Sequence, residues 1–122
     1  MARTYNNPNP ERIKVIETLK EFNKEKRYKI WDDIIERLSK RRKNRAEVNL
    51  WKINKYTKDN DVVIVPGKVL GKGKIDHKVT VCALEFSESV KRFAENNENL
   101  NLITFYDLLK QNPRGSNVKI LE

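Results

Sequence analysis

Apolar residues change their rhythm midway along this chain. In the first third they recur at helical spacing. Ile13, Ile16, Leu19 and Phe22 come every three residues, and Trp31, Ile34, Ile35 and Leu38 fall at i, i+3, i+4 and i+7. Asn9-Pro10-Glu11 supplies an N-cap, a proline at the first helical position and an acid in the first turn, which predicts a helix to about Asn23. A charged break, Lys24 to Lys29, separates it from a second helix. Asp32 and Asp33 lie in the first turn of that helix and basic residues follow its end, in accord with the helix dipole.

Further along, β-branched runs replace the helical stripes. Ala46 to Leu50 reads as a short strand, and Ile53 and Tyr56 as a short helix ending near Asp59. Val62 to Val65 is a buried strand. Val79 to Phe86 is apolar at nearly every position, so both of its faces should be covered. Ser87 reads as an N-cap before a helix with Val90, Phe93 and Ala94 on one side. Leu100 to Ile103 is a strand. Thr104 and Asp107 resemble a capping box, with Ile103 and Leu108 placed as a hydrophobic staple across it. That helix ends near Asn112, ahead of Pro113; Asn-Pro-Arg-Gly is a turn, and Val118 to Leu121 a closing strand. The pattern predicts an α/β chain of one domain, residues 1–122, with a helical part over 1–60 and a compact body over 61–122.

Charge sharpens this division. Residues 1–60 carry 17 Lys/Arg against 9 Asp/Glu, whereas residues 61–122 carry 9 against 8, out of a total net charge of +9. A basic half on a near-neutral body points to a polyanion, nucleic acid above all, rather than to a merely solvated basic face. Cys82 is the one cysteine, so no internal disulfide forms, which suits a reducing compartment. No apolar run reaches membrane-spanning length and the N-terminus has no apolar signal core, so a cytoplasmic location is expected.

VVIVPGKVLGKGKIDHKVTV (62–81) raises the question of a phosphate cradle. It fails as one. Gly67 and Gly71 have three residues between them rather than four, Gly73 stands where a hydroxyl would meet magnesium, and a strand rather than a helix should follow. His77 is the one histidine and reads as a surface residue; with one cysteine it makes no metal site. Asp32-Asp33 is explained by its place in a helix first turn.

The basic clusters are more informative. SKRRKNR holds five basic residues in seven, Lys40, Arg41, Arg42, Lys43 and Arg45, between two predicted elements rather than on a free tail. Arginine matches phosphate through its planar fork and lysine as a point charge. Asn44 and Asn49 are candidates for hydrogen bonds to phosphate, ribose or base. Lys68, Lys72, Lys74 and Lys78 form a second cluster, in a loop whose glycines should let backbone approach a polyanion closely. Trp51 and Tyr56 are candidates for base stacking, while Trp31 heads an apolar stripe and reads as core.

RRKNRAEVNLWKI, VVIVPGKVLGKG, KVTVCALEFS and NPRGSNVKIL together resemble the archaeal L-eighteen-e family of large-subunit ribosomal proteins, relatives of bacterial ribosomal protein L-fifteen. The resemblance runs from about Asn9 to Leu121. It implies an irregular β-β-α superhelix behind a basic helical part laid on ribosomal RNA. It implies no catalysis, no cofactor and no small-molecule substrate, and partners that are ribosomal RNA and neighbouring large-subunit proteins. By position the RNA-facing motif falls on Arg41, Arg42, Arg45, Asn49 and Lys52, and the loop motif on Pro66, Gly67, Lys68, Val69, Leu70, Gly71 and Gly73. The alternative is a free-standing RNA- or DNA-binding protein.

Overall fold

A computed structural model describes residues 10–41 and 45–122. The described elements run α1 (Pro10–Lys26), α2 (Lys29–Leu38), β1 (Ala46–Asn49), α3 (Leu50–Tyr56), β2 (Asp61–Leu70), β3 (Val79–Phe86), α4 (Glu88–Glu95), β4 (Leu100–Ile103), α5 (Phe105–Gln111) and β5 (Val118–Ile120). The chain divides into two compact units at Arg45/Ala46.

In the first unit α1 packs on α2. Val15, Ile16 and Leu19 of α1 and Trp31, Ile34 and Leu38 of α2 are buried, and Phe22 meets Trp31 edge-on at 6.5 Å. Trp31 is core, as its stripe predicts. The three-residue rhythm of α1 misleads, however: Ile13 is 37% exposed. Positions three apart fall about 60° short of a full turn, so four of them sweep halfway round the helix. Burial follows the four-residue steps Val15, Leu19 and Asn23 instead. The helix also runs past Asn23 to Lys26. Asn23 closes the corner. Its Oδ1 accepts the Tyr28 N–H at 2.8 Å, and its Nδ2 donates to the Tyr28 carbonyl at 2.9 Å and to Asp32 Oδ1 at 2.8 Å.

The second unit is built on a parallel five-stranded sheet in the order β1-β2-β3-β4, with β5 also on β2. β2 is twice engaged on one edge. β1 pairs with its Gly67–Leu70 half and β5 with its Val62–Ile64 half, while β3 takes the other edge. β2 is longer than the Val62 to Val65 run suggests, because it continues through Pro66 and Gly67 to Leu70. The register shifts between Val65 and Lys68, and such a bulge is where a strand tolerates a residue with no N–H. Lys68, expected in a loop, is therefore a strand residue.

Strand alternation splits the apolar residues between two faces. Val63, Val65, Val81 and Ala83 join Leu50 and Ile53 of α3, Val90 of α4 and Ile75 in one core. Ile64 and Cys82 point the other way, and α5 packs on β3. Both faces of β3 are covered, as its unbroken apolar run predicts. The caps form where the sequence places them. Ser87 Oγ accepts the Val90 N–H, and Thr104 and Asp107 make the reciprocal capping box, with Ile103 and Leu108 buried beside it. The chain is thus mixed α/β, with five helices and five parallel strands among the described residues.

Candidate nucleic-acid interface

β2 and β3 are parallel neighbours with Asp61 opposite Val79, so residues 71–78 must travel back along the whole strand. That distance is about 30 Å for ten residues of strand. Eight residues cover it only when nearly fully extended. The chain bends at 72–73, and from Lys74 onward successive side chains alternate between exposed and covered. Ile75 is buried and His77 half-buried, whereas Lys72, Lys74, Asp76 and Lys78 are exposed.

The inward side of this crossover is fastened to α3 and the turn after it. The Trp51 N–H donates to the Lys72 carbonyl at 3.0 Å and the Lys72 N–H to Asn49 Oδ1 at 3.2 Å. The Asp76 N–H donates to Asn54 Oδ1 at 3.0 Å, the Lys78 N–H to Asp59 Oδ1 at 2.9 Å, and the Asn60 N–H to the Lys78 carbonyl at 2.7 Å. His77 is more than a surface residue: its Nε2 lies 2.7 Å from Thr57 Oγ1 and its Nδ1 3.0 Å from Asp76 Oδ1. The protein's own bonds hold the loop in place.

The glycines also serve the protein rather than an approaching polyanion. A Cβ on Gly67 would stand 2.1 Å from the Ala46 carbonyl oxygen, so only glycine lets β1 pair there. At Gly73, with φ +100°, a Cβ would stand 2.6 Å from the Cβ and from the N of Trp51.

The candidate lysines separate into two groups. Lys72, Lys74 and Lys78 are exposed, and none is paired with a carboxylate among the described residues. Lys68 stands between Glu47 on β1 and Glu85 on β3, its direct cross-strand partners. Lys68 is half-buried, and its register neighbours on both sides are acidic, without an ion pair between them among the described residues. Lys52 Nζ donates to the main-chain oxygen of Glu122, and Asn49 Oδ1 is committed to Lys72. The Asp76 carboxyl is held below its ordinary 3.8 first by the His77 hydrogen bond and then by Asn54. The Asp61 carboxyl is lowered likewise, by the Lys58 backbone N–H and then by Lys119 at 3.0 Å.

Trp51 is 49% exposed and Tyr56 50% exposed, so neither ring is core. Lys55 Nζ lies 5.4 Å from the centre of the Tyr56 ring, a cation–π distance that keeps a charge beside that face. Sequence reading missed Asn54, Thr57, Asp59 and Asn60 as the anchors of the loop; the Asp59-Asn60 turn pair was their only local signal.

Of the run SKRRKNR, Lys40 and Arg41 are exposed just beyond α2, whose end is closed by Ser39 Oγ donating to the Ile35 carbonyl at 2.7 Å. Arg42, Lys43 and Asn44 lie outside the described residues. Arg45 is half-buried immediately before β1.

The whole-chain pattern has close counterparts. Residues 3–122 match the family model described as "Ribosomal protein 60S L18 and 50S L18e". The chain is 44% identical over 122 residues to the large ribosomal subunit protein eL18 of Methanospirillum hungatei, covering 99% of each. It is 47% identical over 106 residues to the protein of that name from Thermoplasma acidophilum, covering 87% of this chain and 88% of the relative. It is 38% identical to that of Methanothermobacter thermautotrophicus over the full length of both. The chain therefore belongs to the L18/L18e family of ribosomal proteins.

Proposed function

We propose that the chain is a structural, non-catalytic constituent of the large ribosomal subunit in the cytoplasm, binding ribosomal RNA and meeting neighbouring large-subunit proteins. The observation that carries this is end-to-end likeness to relatives named for that subunit. The anchored crossover supports the RNA side of the reading. Lys72, Lys74 and Lys78 are exposed on a crossover whose backbone the protein itself anchors, which leaves their charges available to phosphates. The α/β body sets where these charges stand, so little order is lost when phosphates arrive. Lys40, Arg41, Arg42, Lys43, Asn44 and Arg45 complete the RNA-facing set within residues 1–60, which precede the 61–122 body in the chain. Asn49, Lys52 and Lys68 act at second hand, through the loop and the sheet. We read the successive crossovers as turns of an irregular β-β-α superhelix.

A free-standing RNA- or DNA-binding protein is the competing reading, and a sucrose gradient of cell lysate separates the two. Co-sedimentation with the large subunit in high salt is expected; absence from those fractions would contradict the ribosomal role.

A further inference from the structure

We infer that the corner between α1 and α2 is a second RNA-phosphate site, built on Lys20, Lys24 and Arg27. The inference rests on the ribosomal reading for the identity of the RNA. These three cations, with Asn23, Asp32 and Ile35, line one shallow cavity at the end of α1. Lys20 and Lys24 fall at i and i+4 on one side of α1, and Arg27 follows immediately beyond its end. All three are exposed, and none has a carboxylate partner among the described residues. One acidic side chain, Asp32, shares the cavity, and its Oδ1 already accepts from Asn23 at 2.8 Å. The lining keeps a positive excess, suited to a phosphodiester.

Arg27 supplies the second argument. It adopts φ +55°, and its N–H donates to the Asn23 carbonyl at 2.9 Å, which closes the last turn of α1. A helix that stops this way normally has glycine at the left-handed position, because a Cβ strains it. Arginine there stabilises the backbone less than glycine does, so its guanidinium has a use outside the fold. The helix dipole accounts for a basic residue in the last turn, but not for Lys20 further back, nor for a side chain at the left-handed position. Asn23 makes the site rigid, since its amide is saturated by Tyr28 and Asp32 and fixes the corner on which all three cations stand.

The test uses the full chain and deproteinised large-subunit ribosomal RNA. The variants are Arg27→Gly and the double Lys20→Ala/Lys24→Ala, with melting temperature measured alongside affinity. Arg27→Gly is expected to melt at the same temperature or higher and yet to bind several-fold more weakly. The lysine pair is expected to flatten the salt dependence of log K by about one to two units. Unchanged affinity and unchanged salt slope in both variants, with the wild type binding normally, would overturn the corner site alone. Failure of the wild type to bind ribosomal RNA would overturn this site together with the proposed function.

Discussion

Gly73 and Trp51 meet with no room for one further carbon: a Cβ on Gly73 would lie 2.6 Å from the Trp51 backbone nitrogen, which itself donates to the Lys72 carbonyl. This contact seats the lysine-bearing crossover on the first turn of α3. Gly73→Ala must strain a φ of +100° and displace backbone, so it should destabilise by about 2–4 kcal/mol. The melting temperature should fall by roughly 10 °C. Trp51→Ala keeps both the Cβ and the N–H and should cost less than about 1 kcal/mol. Equal melting temperatures for wild type and Gly73→Ala would refute the seating.

Removing charge from the loop should separate binding from folding. Lys72, Lys74 and Lys78 are fastened through backbone groups or not at all, so the triple alanine variant should stay within about 0.5 kcal/mol of wild type. Its RNA affinity should fall, and the slope of log K against log salt should drop by about two to three. Lys68→Ala should behave in the opposite way. It removes the cation that stands between Glu47 and Glu85 in the strand register, so stability should suffer more than binding. Equilibrium unfolding and filter binding on the same three proteins, wild type, the triple variant and Lys68→Ala, decide the matter.

Asp61 and Asp76 contribute to the acid dependence of stability. Both carboxyls are held below 3.8 in the folded state, by Lys58 and Lys119 and by His77 and Asn54 respectively. A depressed folded value means that the unfolded chain takes up the proton first. Their contribution is therefore complete above the ordinary value and is lost as pH falls through the folded one. Stability should decline below about pH 4, and Asp61→Asn or Asp76→Asn should flatten that decline. An acid limb as steep in both variants as in wild type would rule these groups out.

Cys82 should be silent. Burial between β3 and its neighbours pushes the thiol far above its ordinary value, and nearby Asp107 adds to the effect. A disulfide reagent at pH 8 should not label the native chain but should label it fully in denaturant. Prompt labelling of the native protein would show that the core opens at this strand.

What the sequence revealed follows from how local each device is. The Thr104–Asp107 box and the Ser87 cap lie within four residues of chain and were legible at once. The stripe of α2 was legible because its spacing matches the helix period, whereas the spacing of α1 drifts off it and promoted Ile13 over Val15. Pro66 and Gly67 read as strand breakers because their purpose is non-local, a bulge on one side and room for Ala46 on the other. The lysines of the loop were visible, but not their sorting. That Lys68 stands between Glu47 and Glu85 depends on strand register, which no single stretch of sequence records. The glycines were rightly linked to close approach, with the wrong partner.

The most direct measurement is a density map of the assembled large subunit. The account predicts Lys72, Lys74 and Lys78 within about 4 Å of RNA phosphate oxygens. It also predicts that residues 71–78 keep the Trp51–Lys72, Asn54–Asp76 and Asp59–Lys78 bonds described above. A map in which the three lysines face solvent or protein, or in which the crossover has left α3 to reach the RNA, would contradict it.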